Sequence, residues 1–258
     1  MNVREGHKPQ VIAIGNNKGG SGKTTTALEL SHEFHKRGFK TLLVDLDGQR
    51  NATIALDRKG ASPTAFDVLT GQAETKESII KTSAGDLIPA ESKLDTLAQV
   101  LTGKGKEYAI RDMLEPLRSE YDYIILDLPP AINAASTNAL AAADILLIAS
   151  KAEAFHLEGI GTIYENADLI KKLCNHGLRI LGIVITQYEK TTLQKAMYSN
   201  AAKIAEQIGA KIYAPIRKCS KAAEAHAMHK CCGEYAPKCT TTIDYIALTD
   251  DILKDMSV

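Results

Sequence analysis

Apolar, β-branched runs of five to eight residues recur along the chain and alternate with stretches whose apolar positions fall at helical spacing. The runs are VIAIG (11–15), TLLVDLD (41–47), DLIPA (86–90), YIILDLP (123–129), DILLIAS (144–150), RILGIVIT (179–186) and KIYAP (211–215). Helical spacing is found over 24–37, where Gly38 closes the pattern, and over 107–120, 157–174 and 192–208. Strands alternating with helices predict a single doubly wound α/β domain over residues 1–258, with a mainly parallel sheet covered by helices on both faces. Residues 1–9 read as a flexible N-terminal arm, and no repeat, low-complexity segment or linker marks a further boundary. In a sheet of this kind ligands bind at the carboxyl ends of the strands.

The first such end carries GNNKGGSGKTT (15–25), a phosphate loop in which Asn17 replaces the usual first glycine. Gly19, Gly20 and Gly22, with Ser21 among them, let the backbone turn so that successive N–H groups meet polyphosphate oxygens. The helix that follows adds its positive end. Lys23 is expected on the β- and γ-phosphates and the Thr24 hydroxyl on Mg²⁺. One lysine is enough for that task, so Lys18 needs another.

Two further strand ends carry acids. YIILDLPPA ends its apolar run in Asp127, placed as a carboxylate that reaches Mg²⁺ through a water would be. In TLLVDLDGQRNAT, Asp45 and Asp47 stand two apart at a strand end and so share a face. Two neighbouring carboxylates repel each other unless a cation sits between them, which makes the pair informative beside a phosphate loop.

Charge narrows the function. With 31 basic and 31 acidic side chains the chain is neutral overall, which argues against a protein coating nucleic acid over its whole surface and permits a local basic patch. No apolar stretch reaches transmembrane length and MNVREGHKPQ lacks a signal-peptide core, so a cytoplasmic protein is expected. The five cysteines all follow residue 173, and a reducing compartment would keep them as thiols.

KGGSGKTT, DLDGQRNAT and YDYIILDLPPAINAASTNAL together resemble the deviant phosphate-loop ATPases of the ParA/MinD group, and among these the ParA (Soj-like) partition ATPases. The resemblance runs from about residue 10 to residue 255. It implies ATP and Mg²⁺ as cofactors and a homodimer formed on ATP. Lys18 is similar to the signature lysine that crosses the dimer interface to the partner's nucleotide, an electrostatic job that an arginine finger does in other hydrolases. The resemblance further implies that Asp47 positions the attacking water, that Thr25 helps hold the α-phosphate, and that Gln187 and the Pro215-Ile216 turn line an adenine pocket. Asn51 and Asn138 match family asparagines near the site and interface. Gly48 departs from the pattern: the family usually has proline there, and a glycine is expected to loosen the loop after Asp47.

Within the group, a MinD-like membrane switch should end in a basic amphipathic helix, whereas this chain ends in the acidic TTTIDYIALTDDILKDMSV. An electron carrier like nitrogenase reductase would need cysteines near Asp127, and the first is Cys174. Residues 180–240 hold nine Lys/Arg against four Asp/Glu, the footprint of a polyanion surface. IRKCSKAAEAHAMHK and YAPKCTTTIDYIAL are similar to the C-terminal part of ParA homologues of Gram-positive plasmids and integrative elements. Arg217, Lys218, Lys221 and Lys230 are therefore assigned to non-specific double-stranded DNA, with Lys190, Lys195 and Lys203 after them. The resemblance implies a ParB-type centromere-binding partner, a place on the nucleoid and a role in partition. A membrane-associated or protein-cargo-positioning ATPase is the alternative. His226, His229, Cys231, Cys232 and Cys239 lie close together but fit no zinc-ligand spacing, so the cysteines read as ordinary thiols.

Overall fold

The computed structural model describes residues 9–103 and 105–256. The arm assigned to residues 1–9 therefore lies, Pro9 apart, outside the described residues. The strands are β1 (Gln10–Gly15), β2 (Thr41–Asp45), β3 (Ile80–Thr82), β4 (Gly85–Ile88), β5 (Tyr123–Asp127), β6 (Ile145–Lys151), β7 (Arg179–Thr186) and β8 (Lys211–Ile212). The helices are α1 (Lys23–Lys36), α2 (Asn51–Ala55), α3 (Ala65–Leu69), α4 (Leu97–Val100), α5 (Ala109–Leu114), α6 (Ala134–Ala142), α7 (Ala154–Leu173), α8 (Thr192–Gln207), α9 (Ser220–Ala227), α10 (Cys232–Tyr235) and α11 (Thr240–Met256).

The strands form one sheet in the order β3-β4-β2-β5-β1-β6-β7-β8, parallel throughout except for the edge strand β3. Each expected strand is present, and β3 is an addition. Its segment IKTSAG is short, and it becomes a strand only because Gly85, at φ +99°, turns the chain back so that Ile80 pairs with Leu87. The helix expected over 107–120 is broken: α5 covers 109–114 and a 3-10 turn follows at Glu115–Leu117, because Pro116 has no N–H for a continuing helix.

Alternation along the central strands feeds two separate cores. Val11 and Ala13 of β1, with Ile124 and Leu126 of β5, pack under α3, α5, α6, α7 and α8. Ile12 and Ile14, with Tyr123 and Ile125, pack under α1, α2 and α11. Both faces of a parallel sheet are thus covered, as its continuous apolar strands require. β1 lies between β5 and β6, which places the phosphate loop, the end of β2 and the end of β5 side by side.

The C-terminal helix is fastened to the loop's helix by a buried hydrogen bond between Thr26 Oγ1 and Tyr245 Oη, 3.0 Å long. Tyr245→Phe leaves the Thr26 hydroxyl buried without a partner and is expected to lower stability by about 1–3 kcal/mol, read from the denaturation midpoint. Adding Thr26→Val removes the stranded group and should recover part of the loss. A double variant as unstable as the sum of two single losses would show that shape at this contact matters more than the bond.

Candidate functional site

The loop between β1 and α1 is held from behind. His156 Nε2 contacts the Gly19 carbonyl at 3.2 Å, Gln187 Nε2 donates to the Gly20 carbonyl at 3.2 Å, and Thr186 Oγ1 donates to the Ser21 carbonyl at 2.8 Å. Asn16 Nδ2 ties the loop's first residue to the Ala149 carbonyl. Three consecutive carbonyls are engaged in this way, while no partner is found among the described residues for the N–H groups of residues 19–22. Those N–H groups are the ones left for an anion. Gly22 is left-handed at φ +86°, and a β-carbon there would stand 2.7 Å from Thr186 Oγ1, so no other residue fits without displacing β7.

Two cavities open over this loop. One, of about 370 Å³, is lined by residues 19–25 together with Asp47, Gln49, Asn51, Pro130, Gln187 and His226. The other, of about 360 Å³, lies between the loop and Ile216, Cys219, Thr241 and Tyr245. Gly22, Thr25, Gln187 and His226 belong to both, so the two are lobes of one elongated cleft. A larger cleft of about 590 Å³, lined by Phe39, Lys40, Gly85 and Tyr121, lies at the opposite ends of the strands, away from the loop.

Lys23 is 6% exposed, and its Nζ donates to the Lys18 carbonyl at 3.2 Å. Burial pulls its pKa down while the charges of Asp127 and Asp47 oppose this. Asp127 is fully buried and neither of its carboxylate oxygens has a hydrogen-bond partner. Burial and then the Asp45 charge hold its pKa well above the usual carboxylate range, opposed by Thr24 and Lys23. Two carboxyl oxygens without a regular hydrogen bond, beside a hydroxyl, are a donor set suited to a hard divalent cation with its waters.

The paired acids of β2 divide their work. Asp45 accepts from Thr53 N–H (2.8 Å), Thr53 Oγ1 (2.7 Å) and Asp47 N–H (3.2 Å), with its pKa pushed up to about 6, chiefly by burial. It shapes the following loop. Asp47 instead lines the cleft, accepts only from Gln49 N–H at 3.0 Å, and is pushed up mainly by burial. Gly48 is buried, and a β-carbon there would meet the carboxylate end of the exposed Asp95 side chain, which would have to swing aside; the Asp95 charge also raises the Asp47 pKa. Asp95, from the 3-10 turn Ser92–Thr96, carries no motif and was not legible from the sequence.

Lys18 lies elsewhere. Its Nζ sits 3.6 Å from the ring centroid of Phe155, itself 62% exposed, and its stem passes over Gly159 of α7, where a β-carbon would collide with it and with Asn16. It does not line either lobe. Thr24 and Thr25 line the phosphate lobe and Ile216 the other, while Pro215 lines neither. Asn51 lines the phosphate lobe. Asn138 does not reach the site, because its amide accepts from Ala109 N–H and donates to the Ala134 carbonyl, tying α6 to α5.

Among the remaining assignments, each leading cation has an acidic partner: Arg217 with Asp244 (2.6 Å), Lys218 with Glu189 (3.3 Å), Lys221 with Glu224 (2.7 Å) and Lys230 with Glu234 (3.2 Å). Lys190, Lys195 and Lys203 are exposed, with no ion pair among the described residues. No group of three or more His, Cys, Asp or Glu among the described residues, His226 included, is arranged for a metal. The His226 Nε2 is instead buried without a partner at the junction of the two lobes.

Residues 9–180 match the family described as AAA domain. The chromosome partitioning protein ParA of Caulobacter vibrioides (strain NA1000 / CB15N) is 32% identical over 253 residues, covering 95% of this chain and 94% of that one. The chromosome-partitioning ATPase Soj of Thermus thermophilus is 33% identical over 249 residues, covering 95% and 96%. Among solved structures, cobyrinic acid a,c-diamide synthase from Mycobacterium smegmatis with bound ADP and magnesium superposes with a TM-score of 0.84 at 26% identity, covering 96% of each chain.

The buried acids carry a testable cost. A carboxyl whose folded pKa is raised binds its proton more tightly in the folded than in the unfolded state, so stability is lost as pH rises above the ordinary carboxylate range. Asp127→Asn is therefore expected to raise the thermal midpoint of the ligand-free protein, more at pH 8 than at pH 5, by about 2–4 °C for each kcal/mol of relieved burial. Equal midpoints at both pH values would mean that the Asp127 carboxylate is already compensated in the folded chain.

Proposed function

The chain belongs to the AAA-domain family that includes the ParA- and Soj-type partitioning ATPases, and from that membership we propose that it is an ATP-dependent dimerising switch. The observation that carries the proposal is the separation of the two loop lysines. Lys23 is buried inside the cleft, whereas Lys18 is parked on an exposed aromatic ring outside it. A cation that does not serve its own cleft is free to serve that of a second copy.

In this reading the triphosphate of ATP would lie on the N–H groups of residues 19–22 with Lys23, and Thr24 and Asp127 would hold Mg²⁺, which would supply charge neutralisation at the phosphates. Thr25 supports the α-phosphate. The base lies in the second lobe against Ile216, beside Gln187, and the unpaired His226 Nε2 gives the nucleoside a hydrogen bond. Asp47 orients the attacking water, and its raised pKa suits a group that accepts a proton as the water attacks. Hydrolysis removes the γ-phosphate that Lys18 of the second copy holds, and the dimer parts.

The dimer binds double-stranded DNA without sequence preference and responds to a ParB-type partner. The unpaired Lys190, Lys195 and Lys203 supply the most available charge, because a phosphate approaching Lys218, Lys221 or Lys230 must first displace a carboxylate. Arg217 is the most firmly held, with its side chain and its own N–H both on Asp244. No helix among the described residues is long and apolar enough to cross a membrane.

Lys23→Ala is expected to lose nucleotide binding. Lys18→Ala should retain it but stay monomeric on size exclusion with a non-hydrolysable ATP analogue, and Asp47→Ala should dimerise and fail to turn over. A normal dimer from Lys18→Ala would sink the trans assignment. For DNA, log K against log salt should fall by about 0.9 per phosphate contacted, with binding collapsing between about 50 and 200 mM salt and requiring ATP. The double variant Lys195→Ala/Lys203→Ala should flatten that slope more than Lys221→Ala does. An unchanged slope in both variants, or equal affinity with ATP and ADP, would place the DNA surface elsewhere.

A further inference from the structure

Between α9 and α11 the chain gathers sulfur that nucleotide handling does not use. Cys232 opens α10 and Cys239 directly precedes α11, and their Sγ atoms are 3.4 Å apart with both thiols free. Cys239 is placed as a helix cap. Its Sγ accepts the N–H of Thr242 at 3.5 Å and meets Thr242 Oγ1 at 3.4 Å, at the positive end of a helix 17 residues long. Cys232 is completely buried, whereas Cys239 is partly open to solvent, so a small reagent meets Cys239 first.

We infer that Cys239 and Cys232 are a redox-active dithiol, in which the Cys239 thiolate attacks a low-molecular-weight disulfide and Cys232 completes an intramolecular disulfide. The sulfurs need to close from 3.4 Å to about 2.05 Å, a shift of the order of side-chain rotation. The surroundings favour this order of events. Burial works against the Cys239 thiolate, but hydrogen bonds from the Thr242 hydroxyl and N–H, Cys232 and Cys219 outweigh it and hold the thiol below its ordinary value. Burial pushes Cys232 up to about 12 and raises Cys174 and Cys231 as well.

The exchange balances without a further reagent. Cys239 S⁻ attacks one sulfur of RSSR, the S–S bond breaks, and RS⁻ leaves with the bonding pair. That thiolate takes the Cys232 proton. Cys232 then attacks Cys239 Sγ of the mixed disulfide and expels a second RS⁻, which is protonated by solvent in place of the proton lost when Cys239 ionised. Two electrons pass from the protein to the small disulfide, giving one protein disulfide and two RSH. The pair stands beside the cleft, since Cys219 lines its second lobe and α11 carries Thr241 and Tyr245 into the same lobe.

The test treats the reduced full chain with oxidised glutathione and counts thiols by intact mass and peptide mapping. Two of the five thiols should be lost, with one crosslink mapped to Cys232–Cys239 and reversed by dithiothreitol. Cys232→Ser should stop at glutathione on Cys239, Cys239→Ser should form no crosslink, and Cys219→Ser should still crosslink. Pulse alkylation of the unsubstituted chain with iodoacetamide at neutral pH is independent of any folding defect in the variants, and should label Cys239 before Cys174. Retention of all five thiols, a crosslink through other cysteines, or labelling of Cys174 first would overturn the inference.

Discussion

The structure turns on a buried charge imbalance. Asp45 and Asp127 are fully enclosed and Asp47 nearly so, and the one cation among them, Lys23, is itself pulled toward neutrality by burial. Charges removed from water are costly unless they are paired. Asp45 is satisfied internally by Thr53 and the Asp47 N–H, whereas the Asp127 oxygens make no hydrogen bond of ordinary geometry and have only the Thr24 hydroxyl beside them. A folded chain that keeps such a residue does so because something else completes it, and two bare carboxylate oxygens next to a hydroxyl specify a small, hard cation. The parallel sheet makes the arrangement possible: β2, β5 and β1 are neighbours, so their carboxyl ends deliver acids and loop to one place.

The same economy governs the loop. Its N–H groups can face an anion because its carbonyls are engaged by residues far away in sequence, from α7 and from the end of β7. The left-handed turn at Gly22 and the close approach of Thr186 are two sides of one constraint, since the backbone must bend sharply at the point where β7 presses on it. Gly159 does the equivalent for Lys18. By having no side chain it lets the lysine stem and Asn16 lie against α7, which directs the Lys18 ammonium onto Phe155 and away from its own cleft.

Strand and helix placement, and the position of the glycine-rich loop at a strand end, were legible in the sequence because they depend on local pattern: period-two and near-continuous apolar runs for the strands, glycines and a lysine at fixed offsets for the loop. The parts that were not legible depend on contacts between distant segments. Asp95 against Gly48, His156 against Gly19 and the orphaned His226 carry no local signature. The helix over 107–120 failed for a visible reason, Pro116, that periodicity alone does not weigh. Asn138, matched by motif, is tied within the fold instead of lining the cleft, since its amide links α6 to α5.

The stretch from residue 216 to residue 226 belongs to two readings at once. Its Ile216, Arg217, Lys218, Cys219 and His226 wall the second lobe of the cleft, and its cations belong to the basic excess of residues 180–240. In the ligand-free chain these cations are held by Asp244, Glu189 and Glu224, from α11, from the end of β7 and from α9 itself. The exposed Lys218–Glu189 and Lys221–Glu224 pairs hold their partners weakly in water, whereas Arg217 is fixed on Asp244 by its side chain and by its own N–H. Asp244 lies between Thr241 and Tyr245, both of which line the lobe, and Tyr245 is bonded to Thr26 on the helix that the phosphate loop begins. The cleft and the basic stretch beside it therefore share one wall, since Arg217 and Lys218 line the second lobe and Asp244, which holds Arg217, lies on the same helix as the lining residues Thr241 and Tyr245.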